Sequence, residues 1–322
     1  MSLSNMQVFN KFIQPAIIET LAVMIDKFNG ASRGAIRLTT EGFTGDFLQE
    51  SFFAGIHSAQ RRVDRYATNA AQAATNLAQI KQSSVKIAGG FGPILFEPGQ
   101  MTWLQKPSAE GIEVASRNFA EALLRDQLFT AIAALKAAIA NQTTATNDVS
   151  ATAGISYAAM NDAHAKFGDH SGNIIASVMT GQVFHKLIGL NLTNAQNLFE
   201  AGNVTVVDIL GRSIIVVDAP ALYVTGTPNK QYVLGLVDSA AIVHDGGDLI
   251  TNIETSNGKE RIETTMQVDY TFGLGLKGYT WDEANGGKSP SDAEIATGSN
   301  WDKAATDIKH TAGVVAIGDA AK

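Results

Sequence analysis

The chain has 322 residues, enough for about two domains, and its formal net charge is −7. This acidic balance argues against a dedicated nucleic-acid-binding protein, which needs a basic face. Cysteine is absent, which excludes disulfides, thiolate metal sites and cysteine nucleophiles. Charged residues make up 17% of the chain, below the roughly 25% of a typical soluble domain. Either much of the surface is covered by other subunits, or the surface is polar but uncharged.

The first 35 residues predict an amphipathic helix, because large apolar side chains recur at intervals of three and four. Pro15 should break or bend this helix, and Asn29-Gly30 should end it. Met1 to Phe12 lack the basic segment and long apolar core of a secretory signal. No apolar run in the chain approaches the ~18 residues of a membrane-spanning helix. A helix at this position docks on its own protein body or on a neighbouring molecule.

Residues 36–105 combine short apolar elements with long polar stretches. We predict two short strands around a glycine turn at Gly89–Pro93, namely Val85–Ile87 and Ile94–Phe96. The stretch from Gln72 to Gln82 has few large apolar side chains. An extended segment of this composition buries little of its own apolar surface, so it must be mobile or held by partners. A basic cluster precedes it at Arg61, Arg62 and Arg65. We favour pairing with acidic residues of a neighbouring chain, or a solvated face, over phosphate contact.

The strongest predicted element is a helix from Ser108 to Asn141, with Pro107 before it and Ser108 as its N-cap. No Gly or Pro interrupts it after Gly111, and its length would be about 50 Å. Apolar residues recur with helical spacing at Ile112, Ala115, Phe119, Leu123, Leu124, Leu128, Ile132, Leu135 and Ile139. A long helix next to an extended polar segment indicates a part of a larger assembly rather than a self-contained enzyme.

The second half of the chain predicts mixed helix and strand, after a linker of small polar residues at Thr143–Ala153. Asn257-Gly258 predicts a hairpin turn into a long half-buried strand, because apolar and polar residues alternate from Met266 to Leu276. The other predicted elements are helix Tyr157–Phe167, strand Ile174–Met179, helix Gln182–Leu187, strands Val204–Ile209 and Ser213–Val217, the strand pair Leu222–Thr225 with Gln231–Val237, and the strand pair Ala240–Val243 with Leu249–Glu254.

The segment Gly273–Gly278 matches the G-x-G-x-x-G pattern of dinucleotide sites. Such a site needs its glycines between a strand and a helix, so that phosphate meets the helix N-terminus. Here the glycines lie within the predicted strand. We therefore favour a strand face of small residues that another backbone approaches closely.

Asp162, His164, Asp169 and His170 form the densest group of metal-ligand residue types. His164 and His170 are not spaced to share one helix face, and capping at a helix end explains Asp169 and His170 equally well. No nucleophile motif surrounds the other candidates, which are His57, His185, His244, His310, Ser177 and Ser213. We assign no catalytic, cofactor-binding or metal residue, although distant catalytic partners leave a hydrolase open.

The order of the elements resembles that of tailed-bacteriophage major capsid (coat) proteins, which share the Hong Kong 97-like fold. The stretch from Ala163 to Leu187 looks like the helix, Gly-Asp turn, strand and short helix of that family's axial domain. Thr180-Gly181 departs from the His-Ser pair of many relatives. Further similar segments are Gly211–Pro220, Arg61–Asp64, Gly92-Pro93, Asn300–Lys303 and Lys309–Val314.

The resemblance implies an α+β fold with an N-terminal arm (1–40), an extended hairpin loop (41–105), a peripheral domain with the long spine helix (106–150 and 255–322) and an axial domain (151–254). It implies a structural protein, not an enzyme, that self-assembles into pentamers and hexamers of an icosahedral phage head. The shell would enclose the DNA genome without sequence-specific binding and without a membrane. Portal, scaffolding and cement proteins are further candidate partners. The implied location is the virion, after assembly in the host cytoplasm.

Two other functions stay open. An encapsulin-like nanocompartment shell uses the same fold, but it expects a cargo enzyme and no packaged genome. A metal-dependent enzyme with a site near His164 to His170 ranks lower. Particle size separates the classes, since a shell protein elutes as very large particles or capsomers and an enzyme usually as a small oligomer.

Overall fold

The computed structural model describes residues 3–53, 60–66, 79–96, 109–198, 212–257, 260 and 263–322, with single positions at 68, 71, 74 and 76. The helices in this part of the chain are α1 (Leu3–Ala31), α2 (Ala109–Ala140), α3 (Tyr157–Ala165), α4 (Gly181–Leu198) and α5 (Asp292–Ile295). The strands are β1 (Ile36–Gly42), β2 (Phe47–Phe53), β3 (Gln79–Phe96), β4 (Thr146–Asp148), β5 (Ile174–Met179), β6 (Ser213–Val216), β7 (Tyr223–Val224), β8 (Lys230–Val237), β9 (Ala241–Asp245), β10 (Ile250–Ser256), β11 (Glu263–Leu276), β12 (Tyr279–Trp281), β13 (Trp301–Lys303) and β14 (Gly313–Asp319).

Helix α2 confirms the predicted long helix to within one residue at each end, while the predicted N-cap lies outside the described residues. Its 32 residues make it ~48 Å long. The C-terminal part is buried on nearly every side, at Ala131, Ile132, Ala134, Leu135, Ala137, Ala138 and Ile139. The alanines leave room for neighbouring elements to pack closely on the sides where no large side chain points. α2 therefore contacts α1, β9, β11 and β14 along its length.

Helix α1 runs unbroken through Pro15, so the predicted break is wrong, and it ends at Ala31. A proline removes one backbone hydrogen bond, but burial of Ile17 and Ile25 beside α2 offsets that loss. Asn29 lies inside the helix and has another role. Its Nδ2 donates to the Leu38 carbonyl at 2.7 Å, and its Oδ1 accepts from the Leu38 N–H at 3.0 Å. Asn29 thus pairs with the open side of β1.

Strand β3 corrects the predicted glycine turn, because all 18 of its residues form one continuous strand. It pairs antiparallel with β11, and its glycines admit side chains of that partner. A Cβ on Gly89 would lie 2.8 Å from the ring of Tyr270. The glycine-rich segment Gly89–Pro93 therefore marks close approach within a sheet and not a reversal of the chain.

The extended hairpin is present, but its arms differ from those predicted. β2 pairs antiparallel with the first part of β3, from Phe47 opposite Val85 to Phe53 opposite Gln79. Residues 54–78 therefore connect the two arms. β11 pairs with β3 only as far as Val85, so the hairpin leaves the sheet at that point. We call this sheet, with the order β1-β9-β11-β3-β2, the first sheet.

Strands β9 and β10 do not pair with each other, contrary to the prediction. Both pair antiparallel with β11, β10 along its first half and β9 along its second half. The turn between them lies against β11, where the Gly246 N–H donates to the Thr271 carbonyl at 3.1 Å. β10 and β11 form the predicted antiparallel hairpin, in which the last pair is Ser256 opposite Glu263. The turn predicted at Asn257-Gly258 lies partly outside the described residues. The predicted alternation in β11 is also confirmed, with Met266, Val268 and Tyr270 buried.

The second sheet has the order β4-β14-β8-β5-β6, and β7 also pairs with β8. β5 and the β7–β8 pair confirm their predictions. α4 is longer than the predicted short helix, and the predicted linker Thr143–Ala153 contributes β4, which pairs with β14. The strand predicted at Val204–Ile209 lies outside the described residues.

The strand pairing does not follow the boundaries of the predicted domains. β4 and β14, from the predicted peripheral domain, belong to the second sheet with the axial strands β5 and β8. β9 and most of β10, from the predicted axial domain, belong to the first sheet with β11. The four-part division stays a prediction.

We predict that Ile132→Ala lowers the free energy of unfolding by about 2–5 kcal/mol, because it opens a cavity between α2 and its neighbours. Urea denaturation of unassembled subunits measures this change. Arg117→Ala on the same helix is the control, since Arg117 is exposed and should change stability little. A loss below about 1 kcal/mol at Ile132 would contradict the central burial of α2.

Candidate functional site

The tip of the β2–β3 hairpin carries a basic and aromatic segment, residues 60–66, whose side chains are all exposed. It contains Arg61, Arg62 and Arg65, and the Arg65 guanidinium lies 6.0 Å from the centroid of the Tyr66 ring. Tyr66 is 92% exposed. A fully exposed aromatic ring beside three cations on an acidic protein indicates a contact surface for another molecule.

Helix α1 has a second exposed apolar surface. Ile17 and Ile25 face the protein core, whereas Ile18 and Val23 are each 52% exposed. The groove between α1, α2 and the β9–β10 turn encloses about 170 Å³ and is lined mainly by apolar side chains. The outer side of α1 and this groove are therefore exposed in the described part of the subunit.

Two polar interactions join α2 to the two sheets. Tyr270 Oη of β11 donates to Asp126 Oδ2 at 2.6 Å. Burial raises the pKa of Asp126, and burial together with this hydrogen bond raises the pKa of Tyr270. Lys136 Nζ lies 4.6 Å from the centroid of the Tyr232 ring of β8. Neither pair can be recognised from the sequence, because the partners are far apart in the chain, and Asp126 and Tyr270 are separated by 144 positions.

His164, the central residue of the suspected metal group, is buried in α3 and already has a partner. Arg212 donates a hydrogen bond to His164 Nδ1, and its Nη2 donates to the Ser171 carbonyl at 2.9 Å. Burial, followed by the charge of Arg212, lowers the pKa of His164 to about 4. The ring is therefore neutral at pH 7, and its Nδ1 lone pair is engaged by a cation.

The other members of that group have separate surroundings. Asp162 is exposed, Asp169 Oδ1 forms an ion pair with Lys309 Nζ at 2.5 Å, and His170 packs edge-to-face against His310 with ring centroids 5.6 Å apart. Over the described ranges, no group of three or more His, Cys, Asp or Glu residues could hold a metal ion. Ser177 is buried in β5 and Ser213 lies in β6, while His57 falls outside the described residues.

The G-x-G-x-x-G segment begins within β11 and ends in the turn before β12, with no helix directly after it. A Cβ on Gly273 would lie 2.0 Å from the Phe43 ring, and one on Gly275 would lie 2.5 Å from Ser84 Oγ. The strand location is as predicted, but side chains of Phe43 and Ser84 approach these glycines most closely, and not the backbone that we expected.

Solved structures identify the fold. The protein is similar to the "Cyanophage Pam1 capsid asymmetric unit", with a TM-score of 0.54, 13% identity, and coverage of 89% of this chain and 88% of that chain. It is also similar to a structure from Microbacterium phage Oxtober96, with a TM-score of 0.52, 14% identity, and coverage of 90% of each chain. The fold is the Hong Kong 97-like fold of phage capsid proteins, as the element order indicated.

The sequence matches the family described as "Major capsid protein 13-like" over residues 5–315. The chain belongs to this family, and it is a major capsid protein. It therefore acts as one copy in a multimeric shell, and its location is the virion. No curated protein matches the sequence significantly. None of the described helices has the length and apolar character to cross a membrane.

We predict that His164 makes the subunit less stable in acid. Above pH 6.5 the ring is neutral in both states, but below pH 6.5 the unfolded chain binds a proton that the folded chain binds only near pH 4. Roughly 3 kcal/mol of stability is lost across this window. His164→Gln can still accept from Arg212 without titrating, so its stability should fall less between pH 7 and pH 4.5 in urea titrations.

The control for this experiment is His310→Gln, which removes an exposed histidine instead. This variant keeps the contact between His164 and Arg212, so it should still lose stability in acid. Parallel profiles for His164→Gln and the original protein would contradict the prediction.

Proposed function

We propose that copies of this chain assemble as pentamers and hexamers into the icosahedral head of a tailed phage, which encloses the DNA genome. The β2–β3 hairpin carries this proposal, because Tyr66 and the three arginines are exposed in the described part of the subunit and would gain burial and charge pairing from another molecule. Each copy has a net charge of −7, so carboxylates on neighbouring copies are available to pair with these arginines. A negative net charge also suits a shell that encloses DNA without binding specific sequences.

The proposed role is structural and not catalytic, with assembly in the host cytoplasm and with portal, scaffolding and cement proteins as further partners. The hairpin would lie over a neighbour and α1 would serve as the N-terminal arm. Strand pairing supports a revised division, in which β4 and β14 join the axial domain and β9 and β10 join the peripheral domain around α2. The nanocompartment alternative shares the fold, but the family match favours a viral capsid.

Negative-stain electron microscopy of the purified protein tests the proposal. We expect closed icosahedral particles or ring-shaped capsomers, together with elution at very large size. A small oligomer at every salt and protein concentration would contradict a shell-forming subunit. A protease-protected enzyme inside the particles would indicate the nanocompartment instead.

The hairpin tip has its own test, which must spare β3 because that strand lies inside the first sheet. Replacing residues 54–78 by Asn-Gly closes the hairpin directly after the Phe53–Gln79 pair. We expect the shortened variant to keep the thermal transition of the original subunit but to form no stable shells. Stable shells of normal size would contradict the role of the tip.

A matched variant changes Arg61, Arg62 and Arg65 to Ser while it keeps the length of the loop. If the arginines pair with carboxylates of a neighbour, assembly should be reduced. The salt dependence of the remaining assembly should also be weaker, because exposed charge pairs are screened by salt. Light scattering between about 50 and 500 mM salt measures both effects.

A further inference from the structure

Both arms of the β2–β3 hairpin are attached to the protein body through one carboxylate, that of Glu283. Its Oε1 accepts hydrogen bonds from Gln49 Nε2 at 2.9 Å, Lys81 Nζ at 2.9 Å and Ser83 Oγ at 2.8 Å. Gln49 belongs to β2, whereas Lys81 and Ser83 belong to β3. Three donors from two strands therefore converge on one oxygen atom.

The strand register explains this convergence. Gln49 lies directly opposite Ser83 in the β2–β3 pair, and Lys81 is two residues from Ser83 along β3. Residues opposite each other, and residues two apart in a strand, project from the same face of a sheet. The hairpin thus presents all three donors on one face, and Glu283 lies against that face.

This attachment is located where the hairpin loses its other support. Beyond Val85, towards the tip, β3 no longer pairs with β11. Side-chain hydrogen bonds take over, since the Ser83 N–H donates to Thr280 Oγ1 at 2.9 Å and Gln82 Nε2 donates to the Leu276 carbonyl at 2.9 Å. The base of the hairpin is therefore held mainly by polar contacts, whereas the rest of β3 is held by strand pairing and burial.

Glu283 is presented by a well-ordered turn after β12. The turn begins at Trp281, whose ring packs edge-to-face against Trp301 with centroids 4.8 Å apart, and both rings are buried. Asp282 Oδ1 accepts from the Ala284 N–H at 2.9 Å. The hydrogen bond from Lys81, followed by that from Ser83, holds the pKa of Glu283 below its usual value, so its charge is present at neutral pH. The turn therefore holds a charged acceptor beside the hairpin base.

We propose that Glu283 is a positioning residue, which fixes the direction in which the β2–β3 hairpin leaves the first sheet. This inference rests on the proposed function, in which the hairpin tip contacts a neighbouring subunit. Without the carboxylate, the body keeps its fold, but the hairpin base swings and the tip no longer meets its partner in the right place.

Hydrogen exchange measured by mass spectrometry on unassembled subunits tests the attachment. In Glu283→Ala and Glu283→Gln we expect amides of 47–53 and 79–84 to exchange at least about tenfold faster, because a charged hydrogen-bond acceptor is lost. Amides of 87–95 should be unchanged. Glu121→Gln is the control, since it removes a carboxylate of an exposed ion pair on α2.

Swapping the charges of Glu283 and Lys81 tests the positioning role. Glu283→Lys places two cations together and should prevent shell formation, whereas Glu283→Lys combined with Lys81→Glu restores an ion pair and should restore shells in electron micrographs. Thermal unfolding of unassembled Glu283→Lys subunits should match that of the original subunit, whereas loss of a residue that only adds stability would lower the unfolding temperature.

Unchanged exchange in Glu283→Ala, or normal shells despite faster exchange, would overturn the inference. The exchange experiment needs no assembly, so it judges the attachment even if the original protein forms no shells. In that case the proposed function fails and the attachment does not.

Discussion

The burial of the second half of α2 on nearly all sides is the constraint on which the rest of the structure depends. A helix that is buried on one face can pack against only one sheet. Ile132, Leu135 and Ile139, however, belong to a single core that continues into both sheets. The intervening alanines let β-strands and helices approach from several directions. The two sheets are therefore held as one body. Moving one sheet against the other would disrupt this shared packing.

The first sheet has two parts. Strand pairing on both sides holds its central strand β11, whereas mainly polar side chains hold the base of the β2–β3 hairpin. β11 is paired along both edges, by β3 on one side and by β9 and β10 on the other. β3 then continues past β11 into the hairpin, where polar side chains replace strand pairing. A single polar contact at a surface contributes little, but three donors act together on the Glu283 carboxylate at the hairpin base. The core of the first sheet does not include these contacts, so the direction of the hairpin is set separately from the core.

Elements determined by local pattern were predictable from the sequence. α2, β5, the β7–β8 pair and the alternation of β11 follow directly from the spacing of apolar residues. Predictions failed where a distant strand decided the outcome. The glycines of β3 read as a turn because nothing nearby shows that Tyr270 packs against them, and β9 and β10 read as a hairpin because β11 follows later in the chain. Arg212 beside His164, and Glu283 at the hairpin base, depend on the same long-range pairing.

The hydrogen bonds of the Asn29 side chain affect how the unassembled subunit behaves. Its amide occupies both hydrogen-bonding groups of Leu38 on the outer border of β1, so a passing strand cannot pair with β1 at that residue. A protein made in many copies has to accumulate at high concentration without precipitating. One well-placed amide removes a route to amyloid-like stacking and leaves the free subunit to associate through its intended surfaces.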